Sequence, residues 1–128
     1  QSLPTVQNAY PNAWDIVINA MTKVTLPGGT AQLAFSHHED FPIAGKTGTA
    51  QVHAKRLGVM GEEDESDLPK EFRDHAWFIA FAPATAPRIA IAVLVEHGGG
   101  GGAVAAPVAR QVMDAYLQGQ GTEAPPQP

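Results

Sequence analysis

Lys46, Thr47, Gly48 and Thr49 set an amine, two hydroxyls and a residue without a side chain at consecutive positions. Short apolar residues flank them, Ile43 and Ala44 before and Ala50 and Val52 after. The stretch therefore reads as a β-strand over about residues 41–53. A strand interior disfavours glycine, so Gly48 signals a close approach to the backbone. One chemistry open to Gly45-Lys46-Thr47 is phosphate binding at the end of a G-x-x-x-x-G-K-[ST] loop. That loop needs glycine at position 40, where Asp40 would instead repel a phosphate. It also needs a helix after the threonine, where Gln51-Val52-His53 stays extended. Phosphate binding is set aside on both counts. A strand that merely contains Lys and Gly is the plain alternative, since threonine is a good strand former in its own right.

Two further polar runs invite a metal. Ser36-His37-His38-Glu39-Asp40 places two histidines and two acids in a row. Adjacent residues point in different directions, whereas ligands on one element are spaced, as in H-E-x-x-H. We read a solvated connector, with no metal and no cofactor. Residues 55–74 carry Glu62-Glu63-Asp64-Glu65 and Asp67 among Gly58, Gly61 and Pro69. They read as a solvated acidic connection, without the Asp-x-Asp-x-Asp-Gly spacing of a calcium loop.

The elements that must hold the central strand follow from periodicity. Trp14, Val17, Met21 and Val24 fall on one face of a helix. Asn12 is placed to cap it, Asp15 sits in its first turn, and Leu26-Pro27-Gly28-Gly29 ends it. Thr30 starts a further short turn through Phe35. Residues 76–82 and 89–95 are continuous apolar runs, which fits strands covered on both faces. Pro83-Ala84-Thr85-Ala86-Pro87 joins them as an antiparallel hairpin. Five glycines at 98–102 read as a hinge of maximal backbone freedom. A last helix spans about 104–118, with Val104, Val108, Val112 and Ala115/Tyr116 as its buried stripe and Pro107 in its first turn. Residues 119–128 read as a disordered tail. The expected fold class is α+β: an antiparallel sheet of three strands flanked by helices. Helices of this chain can cover one face of that sheet, and the other face needs elements beyond them.

Composition narrows the function classes. The 128 residues are 44% hydrophobic and 16% charged, which suits one packed domain. A net charge of −5 without a basic patch argues against nucleic acid. There is no cysteine, hence no disulfide framework or thiolate metal site. No apolar run is long enough, at ~18 residues, to span a membrane. The chain opens on Gln1 without a signal peptide and reads as a piece of a longer protein.

Lys46-Thr47-Gly48-Thr49 resembles the third signature of the penicillin-recognising serine transpeptidases and β-lactamases. The likeness extends to Trp14 with Met21, Gly29-Thr30-Ala31, and Ala44 with Gly45 before and Ala50-Gln51 after the signature. It continues through Asp74-His75-Ala76-Trp77-Phe78, Ala82-Pro83, Arg88-Ile89-Ala90, Glu96-His97-Gly98-Gly99-Gly100 and Ala105-Ala106-Pro107-Val108-Ala109-Arg110-Gln111. Together these resemble the C-terminal part of class B penicillin-binding proteins, closest to the penicillin-binding protein 2 group of Gram-negative bacteria. The resemblance covers about residues 12–118, and residues 1–118 are expected to be the C-terminal part of a D,D-transpeptidase domain.

The resemblance implies a peptidoglycan D,D-transpeptidase of cell-wall cross-linking and cell elongation. Its partners would be the peptidoglycan stem peptide, β-lactams, the remainder of the transpeptidase domain and the glycosyltransferase of the elongation complex. Its place would be the periplasmic face of the inner membrane. A serine in an S-x-x-K motif attacks the substrate there, and an S-x-N motif assists proton transfer. Ser2, Ser36 and Ser66 precede Thr5, Glu39 and Pro69 by three positions, so none belongs to S-x-x-K, and none belongs to S-x-N. The isolated chain is accordingly expected to be inactive. By the same resemblance Lys46 and Thr49 are catalytic. Lys46, Thr47, Gly48 and Thr49 bind the substrate. Lys46 supplies a cation beside its carboxylate, the two threonine hydroxyls donate to that carboxylate, and the Thr49 N–H forms half of an oxyanion hole. Gly48 lets the serine-bearing helix approach. A serine β-lactamase or carboxypeptidase, or a non-catalytic penicillin-binding-like module, are the alternatives. The sequence upstream of Gln1 would separate them.

Overall fold

The computed structural model describes residues 10–38, 40–52 and 68–119. Most of the expected acidic connection, the expected tail beyond Gly119 and residues 1–9 lie outside that description.

Helix α1 spans Ala13–Lys23. Asn12 holds the cap position, but its side chain makes no capping bond; its carbonyl oxygen accepts the Ile16 N–H at 3.1 Å. Burial along α1 grows toward its C-terminal end. Met21 and Val24 are half-buried, whereas Trp14 and Val17 remain 51% and 47% exposed. The expected apolar stripe is therefore covered over its second half only. The chain leaves α1 through Gly28, at φ +89°, and enters the short helix α2, Gln32–Phe35, which buries Ala34 and Phe35.

Strands β1 (Ala44–Ala50), β2 (His75–Ala82) and β3 (Ile89–Val95) form an antiparallel sheet in the order β1-β2-β3. This is the expected sheet, with β1 shorter than read and a 3₁₀ turn at Lys70–Phe72 inside what reads as plain connection. Residues 83–87 close the expected hairpin, and the Ala82–Pro83 peptide is cis. Along β2, Ala76, Phe78, Ala80 and Ala82 are buried. Trp77 and Ile79 point the other way and stay 38% and 47% exposed, as does Leu94 of β3 at 43%. Among the described residues, one face of this strongly apolar hairpin is covered by the helices and one is not, as its composition leads one to expect.

A π-helical turn, Gly101–Ala105, runs directly into α3, Ala106–Gly119. Val104, half-buried against the core, fits the stripe read as buried, but beyond it the stripe is displaced. Val108, Val112 and Tyr116 are 44%, 46% and 41% exposed, while Ala105, Ala106, Ala109 and Met113 are buried. The reason is steric. The helix packs on a sheet face lined by Ala76, Phe78, Ala80 and Ala82, and the small Ala105, Ala106 and Ala109 let it come close around the one large ring where valines would hold it off. In the connector before β1, Ser36, His37 and Asp40 are exposed as expected, and His38 departs from expectation. The His38 side chain is only 4% exposed and lies against α3, with Nδ1 3.3 Å from Asp114 Oδ1, so it is not solvated.

Candidate functional site

The four polar residues of the signature lie on β1, at the edge of the sheet. An edge strand has a partner on one side only, so half of its backbone groups have no strand to pair with. Register sorts the side chains. Lys46 and Gly48 stand opposite Ile79 and Trp77 on the open face. Thr47 and Thr49 stand opposite Phe78 and Ala76 on the face that carries α3. The lysine is thus on the other face of the strand from the two hydroxyls. Its long side chain folds back, and Nζ donates to the Thr47 carbonyl oxygen at 2.6 Å. Lys46 and Thr49 are exposed, and Thr47 and Gly48 are half-buried. The two hydroxyls share one face of the strand and can donate to an anion there, while the Lys46 cation lies on the other face, beside the strand edge.

Two neighbouring segments brace this strand. A side chain on Gly101 would overlap the Trp77 carbonyl and stand 2.5 Å from the Gly48 carbonyl oxygen. One on Gly102 would overlap the Thr30 carbonyl. The glycine run thus serves less as a hinge than as a surface without side chains on which β1, β2 and the α1–α2 turn all rest. The Gly48 backbone meets the π turn, but its own missing Cβ would meet only Trp77 Cβ, at 3.2 Å, among the described residues, so this contact requires glycine at 101 rather than at 48. The second brace was not legible as such. Thr30 Oγ1 and Thr47 Oγ1 lie 2.9 Å apart. Gly29-Thr30-Ala31 stood out only as part of a resemblance, because no local pattern links a turn to a strand seventeen residues away.

Farther along the same sheet, Asp74 is 9% exposed and accepts the Val52 N–H through Oδ1 at 3.2 Å, which anchors the chain just past β1. His75 Nδ1 accepts the His97 N–H at 2.9 Å, and the His97 ring lies 3.1 Å from the Arg73 carbonyl oxygen. His97, at φ 54°, turns the chain out of β3 toward the glycine run. Among the described residues no group of three His, Cys, Asp or Glu side chains could hold a metal.

The family described as the penicillin binding protein transpeptidase domain matches residues 3–114. The peptidoglycan D,D-transpeptidase MrdA of Haemophilus influenzae is 39% identical over 115 residues, covering 89% of this chain and 17% of that protein. Among solved structures, Pseudomonas aeruginosa PBP2 in complex with WCK 5153 superposes with a TM-score of 0.69 at 43% identity, over 89% of this chain and 22% of that one. Penicillin-binding protein A of M. tuberculosis, solved as a penicillin G acyl-enzyme complex, gives a TM-score of 0.52 at 39% identity, over 81% of this chain and 20% of that one. The chain thus spans about a fifth of the length of these relatives.

Proposed function

Because the chain belongs to the penicillin-binding protein transpeptidase family, we propose that it supplies the substrate-facing strand of a peptidoglycan D,D-transpeptidase in the whole protein. The observation that carries this reading is the edge position of β1, with Lys46, Thr47 and Thr49 arrayed along it. An extended stem peptide or a β-lactam would lie beside that edge. The hydroxyls of Thr47 and Thr49, which share one face of β1, would bind its carboxylate, and Lys46 would join them by leaving the Thr47 carbonyl and reaching round the strand edge. The Thr49 N–H would share the developing alkoxide with the N–H of the nucleophilic serine, where each such donor contributes about 3–4 kcal/mol. The serine comes from an S-x-x-K motif outside these 128 residues. Its oxygen bonds to the acyl carbon, the C–N bond breaks, and the nitrogen leaves with a proton. The remaining finer parts of the proposal concern setting. The protein would work on the periplasmic face of the inner membrane, where its polymeric substrate lies, beside the glycosyltransferase of an elongation complex.

The test is labelling by a fluorescent penicillin. The isolated chain should take no label, because none of its three serines has a lysine three positions on to activate it. The whole transpeptidase domain, with S-x-x-K restored, should label at full stoichiometry. There Lys46→Ala should slow acylation about a hundredfold, the scale of charged hydrogen bonds lost in a transition state, and Thr47→Val less. Full-speed labelling of the Lys46→Ala domain would remove β1 from the mechanism.

A further inference from the structure

The pair of hydroxyls between the α1–α2 turn and β1 carries an inference of its own, resting on the reading that β1 binds a carboxylate. Thr30 is held from both sides. The Gly29 N–H donates to the Leu26 carbonyl at 2.8 Å, the Ala31 N–H to the Val24 carbonyl at 3.0 Å, and Gly102 packs on the Thr30 carbonyl. Its backbone is thereby held in place, and its exposed Oγ1 lies 2.9 Å from Thr47 Oγ1. Between two hydroxyls one proton lies in the bond and the other is free to point elsewhere. If Thr47 donates to Thr30, its proton is spent and it turns a lone pair toward any approaching anion. If Thr30 donates to Thr47, the Thr47 proton is free and the accepted bond polarises it further. An anion at β1 selects the second arrangement.

We propose that Thr30 is a positioning residue that donates to Thr47 Oγ1 and so makes the Thr47 hydroxyl a dedicated donor to the substrate carboxylate. Thr30 does not itself touch the substrate; its effect passes through Thr47.

The experiment compares acylation rate constants of the whole transpeptidase domain for a penicillin and for its carboxyl methyl ester. The variants are Thr30→Val, Thr30→Ser, Thr47→Val, the Thr30→Val/Thr47→Val double, and Lys46→Ala. Thr30→Val should slow acylation by the free acid about three- to tenfold, the span of one neutral hydrogen bond, with Thr30→Ser near the parent rate. The ester should show no such slowing, so the acid-to-ester ratio falls in Thr30→Val. Being a ratio, it is untouched by any misfolded fraction. In the Thr47→Val background Thr30→Val should add nothing. An unchanged ratio, or a full Thr30→Val effect on top of Thr47→Val, would overturn the proposal in favour of mere packing. If Lys46→Ala is acylated at the parent rate, the reading of β1 falls instead; if Lys46→Ala is crippled and Thr30→Val is not, only the role of Thr30 falls.

Discussion

Arg110 on α3 donates from Nη1 to the Ala34 carbonyl oxygen on α2 at 2.9 Å, while its Nε lies 3.3 Å from Asp114 Oδ2. One guanidinium thus joins the last helix to the turn that leads into β1. Arg110→Ala should lower stability by about 1–2 kcal/mol, because it leaves the Ala34 carbonyl and a part-buried carboxylate without their donor. Arg110→Lys should recover little, since one ammonium cannot serve both acceptors as the fork does. Urea midpoints of the three proteins decide it, and equal midpoints would deny the tie any weight.

The glycine run permits a sharper contrast. Gly101→Ala should destabilise by about 1–3 kcal/mol, because its methyl group would meet the Trp77 and Gly48 carbonyls. Gly100→Ala should be neutral or slightly stabilising, since no atom of the described residues lies within 4 Å of a Cβ there and its φ of −75° suits any residue. Thermal melts of the two variants should differ by several degrees. Equal melts would return the run to the status of a hinge.

The register of α3 can be checked in the same way. Met113 is fully buried, so Met113→Ala should cost about 2–5 kcal/mol. Val112 is 46% exposed, and Val112→Ala should cost under about 1 kcal/mol. The reverse order, read from urea unfolding, would restore the valine stripe as the buried one.

The buried pair of His38 and Asp114 predicts an asymmetry. His38 Nδ1 and Asp114 Oδ1, 3.3 Å apart, are near enough for an ion pair, yet His38 Nε2 and Asp114 Oδ1 have no hydrogen bond among the described residues. Replacing one partner strands the other, whereas replacing both with apolar residues of similar shape can be nearly neutral. His38→Phe with Asp114→Leu should therefore be more stable than Asp114→Leu alone by about 1 kcal/mol or more, read from guanidinium unfolding. Additive losses would show that the two side chains do not depend on each other.

Much of the fold was legible because its signals are local. Two apolar runs around Pro83 and Pro87 mark the β2–β3 hairpin, and the three- and four-residue spacing around Trp14 and Met21 marks α1. The register of α3 was not, since Val104-Val108-Val112 and Ala105-Ala109-Met113 are both apolar at helical spacing. Only the packing against β2 decides between them. His38 misled because burial depends on a partner seventy-six residues away. The signature strand was visible in four letters, but the separation of Lys46 from Thr47 and Thr49 onto opposite faces needed the register, and Thr30 needed the tertiary contact.

The contact of Gly101 with Gly48 also bears on the order of folding. The pieces that shape β1 come from distant parts of the chain, and closing such long loops is entropically costly before any contact rewards it. The strand can pair with β2 early, but its outline is completed only when the π turn at the start of α3 docks. The donor array would therefore be among the last features to form and among the first to blur when α3 loosens, even with every signature residue intact.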